Sequence, residues 1–381
     1  MSQCNEEFDR IARALGDFTC QDAPAVVHFR NPFGLSNWTL PVLELMMVVG
    51  AVIALWWAVR RLRREGDPTN LVLWFGSIVY LLVMEIPLYF PDLFGVQDQV
   101  GVVFDHNVFT VQFLYERLPL YIVALYPAVT TLAYEIVRSL GVFRDRGILV
   151  GAVCVGFIHH CFYEVFDQLG PQLRWWGWNT ESALNYPMLS SVPMTSVFIF
   201  ATLGPAVLVF FVQLFVGRRA QRGERLRAVT LVWRTLAAGA LVTPAVVVLS
   251  IPSSAFGGDE PNTTAQAIIF TVELVLFAAV AIPVLARQWL LSRRGTATGA
   301  DLPNGYVRMV GPLYLGVLGV LWLSALPDYF GAVDGITSDA TPIGNALYAA
   351  VVFTVAAVAV LSVAVAPRGT SVPFSVQHAV R

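Results

Sequence analysis

The chain contains no lysine: all 24 of its basic residues are arginine. Chemistry that needs a lysine Schiff base, retinal binding included, is therefore excluded. Charge of either sign is scarce. Charged side chains make up 13% of the 381 residues, against ~25% in an average soluble protein. There are four cysteines, Cys4 and Cys20 near the N-terminus and Cys154 and Cys161 further on, and neither pair has zinc-site spacing. A phosphate-binding glycine loop, a nucleophile elbow, an HExxH pair and a dinucleotide fingerprint are also missing. Residues 1–37 are mixed and polar with no early apolar core, so no signal peptide is expected ahead of the first apolar run.

What is plentiful is apolar length. Hydrophobic residues make up 56% of the chain, and they recur in runs of about twenty, each able to cross a ~30 Å hydrocarbon core. The pattern predicts an all-α, polytopic transmembrane bundle. Its nine spans are expected near 39–60, 70–90, 118–140, 147–168, 189–216, 228–252, 266–290, 306–327 and 344–366. The bundle thus fills 38–367, between an N-terminal segment, 1–37, and a tail, 368–381. Within the first segment, Phe8, Ile11, Leu15 and Phe18 fall at helical spacing, which predicts a short amphipathic helix on the outer surface.

Arginine sets the orientation. One set of connections carries "RRLRREGD" (60–67), "RSLGVFRDR" (138–146), "GRRAQRGERLR" (217–227) and "RQWLLSRRG" (287–295). The opposite loops, near 91–117, 169–188, 253–265 and 328–343, hold only Arg117 and Arg174. The positive-inside rule places the arginine-rich side in the cytoplasm. An odd number of spans then leaves the N-terminus outside and the tail inside. The arginine-only, Ala/Val/Gly-rich composition looks like that of a GC-rich bacterial genome, and the expected location is then the cell's inner (plasma) membrane.

Ionisable groups within spans are costly and by default face a bundle interior or a cavity. At 1.5 Å per residue, Glu85, Glu164, Glu44, Glu273 and His160 all fall about 6–12 Å inside the outer ends of their expected spans. In "IHHCFYEVFDQ" (158–168), His160 and Glu164 are i,i+4 and share a helix face, while His159 points about 100° away. Three readings stay open here: one histidine bonded to a backbone carbonyl with the other packed at the interface, a histidine–carboxylate proton site, or a metal site. A metal would need His160 and Glu164 joined by ligands such as His106 from elsewhere. Glu85, His160 and Glu164 are the candidate catalytic groups. The long loop 91–117, with its apolar run, predicts a re-entrant or interfacial helix acting as a lid, and Glu116 in it is a candidate substrate contact. Trp175, Trp176 and Trp178 are either an interfacial anchor or the wall of a pocket for a lipid tail.

"RWWGWNTESALNYPMLSSVP" (174–193), followed by a span opening "VPMTSVFIF", resembles a group of uncharacterised multi-spanning membrane proteins with a Trp-Trp-x-Trp loop and a Val-Pro-x-x-Ser span start. More remotely, residues 80–210 resemble the bacterioruberin-type carotenoid hydratases. The matching positions are Glu85, Pro119 to Pro127, Trp176, Trp178, Val192 and Pro193. The resemblance implies a lipid or isoprenoid substrate. Three functions are consistent with these features: a membrane-embedded enzyme acting on such a chain through a His/Glu acid–base site, a proton-coupled transporter, or an accessory subunit of a membrane complex. The residues name no cofactor or protein partner, and nothing in them suits nucleic acid; the bilayer itself is the one partner they define.

Overall fold

A computed structural model of the protein describes residues 4–35, 37–258, 260–297 and 299–365. Among these residues, nine helices are long and apolar enough to cross a membrane, as expected of a multi-pass membrane protein. They are α2 (Thr39–Glu65), α3 (Thr69–Tyr89), α4 (Leu120–Ser139), α5 (Val142–Asp167), α6 (Ser196–Gln221), α7 (Ala228–Leu249), α8 (Thr263–Arg293), α9 (Gly305–Gly331) and α10 (Ala346–Ala364). The N-terminal helix α1 (Glu6–Gly16) precedes them. The tail expected at 368–381 lies outside the described residues.

The centre of the bundle is α4 and α5, which are almost wholly enclosed, while α7 and α8 stand at the edge with most of their surface uncovered. Two features show how sequence sets this arrangement. At Gly147 the backbone leaves helical geometry (φ 81°, ψ 177°), so the continuous part of α5 begins where the apolar run begins. At Gly156 a Cβ would sit 2.8 Å from the Thr202 carbonyl oxygen and 3.0 Å from the Phe277 ring, so only glycine lets α6 and α8 press this closely on α5.

Residues 187–193 are not part of the fifth span, which begins only at Ser196; they form a tight antiparallel hairpin, β6 (Pro187–Leu189) with β7 (Val192–Pro193). Loop 91–117 likewise departs from the expected re-entrant or interfacial helix. It contains two single helical turns and two short strands, β2 (Phe104–His106) and β3 (Val111–Phe113). Strand β3 lies between β1 (Val27–Phe29) and β4 (Leu118–Pro119), and β2 pairs antiparallel with β5 (Trp176–Trp178). Three segments far apart in sequence thus knit into one lid across the arginine-poor end of the bundle. Propensity alone would not reveal this, because strands of three residues leave no readable period.

The β2–β5 ribbon has two faces, as strand geometry requires. Phe104, His106, Trp176 and Trp178 turn toward the bundle. The opposite face is covered by α1: a Cβ on Gly177 would meet Leu15 at 3.2 Å. Phe8, Ile11, Ala12 and Leu15 of α1 are buried with Phe18, Cys20 and Val102. The apolar face predicted for α1 is therefore spent on the lid rather than on the bilayer surface. Helix α1 opens with the Asn5 side chain accepting from the Glu7 N–H at 2.9 Å. A disulfide between Cys4 and Cys20 ties its two ends together.

Candidate functional site

Beneath the ribbon, Glu85 of α3 is buried at the top of the bundle. Tyr89, one turn further along the same helix, donates its O–H to Glu85 Oε2 at 2.5 Å. Tyr126 of α4 donates to the other oxygen, Oε1. His106 of β2 reaches Tyr89 Oη through Nε2 at 3.2 Å, and its Nδ1 lies 3.0 Å from Tyr121 Oη.

Hydrogen-bond arithmetic fixes the direction of this chain. The Tyr89 proton is committed to Glu85, so Tyr89 oxygen accepts from His106 Nε2–H. His106 Nδ1 is then the bare nitrogen and accepts from Tyr121 O–H. The result is a directed relay, Tyr121 to His106 to Tyr89 to Glu85. Burial, by penalising the cation, lowers the His106 pKa to about 3, so the imidazole is neutral as the relay requires.

A cavity of about 30 Å³ opens beside Glu85. That is room for about one water molecule. Its walls are Glu85 and Ile122, the ribbon face of Phe104, His106, Trp176 and Trp178, Tyr163 and Phe166 of α5, and Ser196 and Phe200 of α6. Tyr163, Trp178 and Phe200 are only partly buried, so the cavity reaches the flank of the bundle rather than its axis. Ser196 also donates to Asp167 Oδ2 at 2.7 Å, which brings a second carboxyl to the edge of the site.

On the far face of the ribbon, Asp105 is fully enclosed, and one of its oxygens accepts from the His106 N–H at 2.8 Å. Burial raises its pKa well above the usual value, and the nearby Arg117 guanidinium only partly opposes this. Burial likewise lowers the Arg117 pKa to about 10. The Arg117 guanidinium lies 3.9 Å from the Phe8 ring centroid, wedged between α1 and the loop.

The histidine pair has a different setting. His159 Nδ1 donates to the Ala201 carbonyl at 2.7 Å. Pro205, four residues further on, has no N–H of its own to offer that carbonyl. His160 Nδ1 donates to the Val197 carbonyl at 3.1 Å, and Tyr348 of α10 donates to His160 Nε2 at 2.5 Å. Both carbonyls belong to the widened π-helical stretch Ser196–Leu203 that opens α6. Such wide turns loosen the regular helix ladder. Glu164 accepts from Gln168 Nε2 at 2.9 Å, one turn along its own helix.

Of the residues singled out from sequence, the structure brings Glu85, Trp176 and Trp178 to one cavity, together with His106. His160 and Glu164 are absent from its walls. Trp175 is fully buried beneath the loop, with its indole N–H donating to Thr39 Oγ1 at 2.9 Å. Glu116 is held by His28 of β1 and by Arg30 just beyond that strand, at 2.5 Å each, away from the cavity. Among the described residues, no group of three or more His, Cys, Asp or Glu is arranged to hold a metal ion. His106 does not join His160 and Glu164. Sequence reasoning missed Tyr89, Tyr121 and Tyr126 as members of the site. Their signals were a tyrosine one turn from Glu85 and the paired tyrosines of "PLYIVALYP" (119–127). No protein-family model and no curated protein matches the sequence, and no solved structure matches the fold.

Proposed function

We propose that this chain is a membrane-embedded enzyme that moves protons on a lipid or isoprenoid chain at Glu85. The observation that carries the reading is the directed relay ending on a carboxyl that faces a water-sized cavity at the flank of the bundle. A flank opening admits a substrate dissolved in the bilayer and does not suit a through-path for solutes. Tyrosine and neutral histidine both donate and accept, so the relay can reverse and return Glu85 to its starting form. Addition of water to a double bond is balanced within such a site. Glu85 gives a proton to one alkene carbon, the cavity water bonds the other, and the oxonium so formed returns a proton to Glu85. The aromatic wall of Phe104, Trp176, Trp178 and Phe200 would pack along the chain.

His160 and Glu164 serve in this reading as supports for α6 and α10, and Glu116 as a lid fastening. The lid faces outward, with the arginine-rich loops in the cytoplasm of a bacterial cell. The Cys4–Cys20 disulfide supports that orientation, because disulfides persist in oxidising compartments. The test compares lipid extracts of a deletion strain carrying wild type, Glu85→Gln or empty vector. Wild type is expected to produce a lipid species shifted by one water, lost in Glu85→Gln at equal membrane abundance. Identical extracts from wild type and Glu85→Gln would end the proposal.

A further inference from the structure

Helix α8 carries a carboxyl group where the bundle gives it nothing to bond. Glu273 Oε2 is shielded and has no hydrogen-bond partner among the described residues. The helix is 31 residues long and Glu273 is its eleventh. At 1.5 Å per residue the carboxyl stands ~15 Å from the helix start, so a centred ~30 Å hydrocarbon layer places it ~7 Å below the membrane surface.

Beside Glu273 runs a groove of about 700 Å³ between α5, α6, α7 and α8. That volume lies within the ~300–1,000 Å³ typical of ligand pockets. The wall is apolar from end to end, and Glu273 is the single polar residue in it. The side chain is held on that wall by its helix neighbours. Phe270 and Phe277, three residues before and four after, both pack on Phe198 of α6, with ring centroids 5.4 and 5.8 Å away. The close crossing at Gly156 fixes the depth of the groove, because it brings Phe277 against α5.

We infer that this groove binds a lipid alcohol, a long apolar chain bearing one neutral hydroxyl that pairs with Glu273. The chemistry narrows the choice. An ammonium at this depth is strongly disfavoured, and a phospholipid keeps its charged groups at the surface. A hydroxyl both donates and accepts, so it matches the carboxyl in either protonation form. The inference is independent of the Glu85 reading, since the two sites share no lining residue.

The test uses the full chain in nanodiscs, with radiolabelled geranylgeraniol as the probe and its methyl ether as a control that cannot donate. Wild type is expected to bind one alcohol per chain at least ~10-fold more tightly than the ether, equivalent to about 1.4 kcal/mol. Glu273→Leu should bind both equally, at the level of the ether, and should fold normally because leucine suits an apolar wall. Glu85→Gln should bind like wild type. Equal binding of alcohol and ether by wild type would overturn the inference. So would a preference that survives in Glu273→Leu, or a wild-type dimer that becomes monomeric on that substitution.

Discussion

If His159 exists to satisfy the carbonyl that Pro205 leaves bare, the two residues are energetically coupled in a way a double-mutant cycle can read. His159→Leu keeps an apolar side chain of similar reach and removes the donor that lies 2.7 Å from the Ala201 oxygen. The cost combines a lost buried hydrogen bond with an acceptor left unpaired, on the order of 2–3 kcal/mol. Pro205→Ala restores an N–H at the position that normally serves the Ala201 carbonyl. In that background the same His159→Leu change should cost less by ~1 kcal/mol or more, since the carbonyl then has a backbone donor. The assay is reversible unfolding in mixed detergent and SDS micelles, followed by tryptophan fluorescence on the four proteins of the cycle. Additivity within ~0.5 kcal/mol would refute the coupling. The histidine would then be a packing group whose contact with Ala201 is incidental.

Two further expectations concern the lid and the topology. His106 has its pKa lowered by burial from 6.5 to about 3. The unfolded chain therefore binds the extra proton first, and stability is lost as pH falls from 6.5 toward 3, at a slope of ~1.4 kcal/mol per pH unit. Asp105 works in the opposite sense, because its raised pKa lends stability at low pH that is lost as pH rises. Comparing Asp105→Asn with Asp105→Asn/His106→Gln isolates the histidine, and parallel stability–pH curves for the two would contradict the assignment. For topology, cysteine placed at Gly257 should react with an impermeant thiol reagent in intact cells, and cysteine at Gln221 should be spared. The reverse pattern would turn the molecule over.

The sequence by itself determined the spans and the asymmetry of the connections. Both are local properties: about twenty apolar residues can satisfy every backbone group only as a helix in lipid, and arginine content is read loop by loop. The amphipathic face of α1 and the cost of placing Glu85 in a span were legible for the same reason. What those groups meet was not. The lid is built from strands of two or three residues drawn from three separate segments, so its pairing exists only once the bundle has brought them together. Tyr89, Tyr121, Tyr126 and His106 converge on Glu85 from two helices and a strand, and no spacing in the sequence records a convergence across helices. The doubled histidine shows the limit most plainly. The sequence placed His159 and His160 about 100° apart on one helix. Only the packing of α6, widened at Ser196–Leu203 and lacking an N–H at Pro205, decided that both would donate to the same neighbouring backbone.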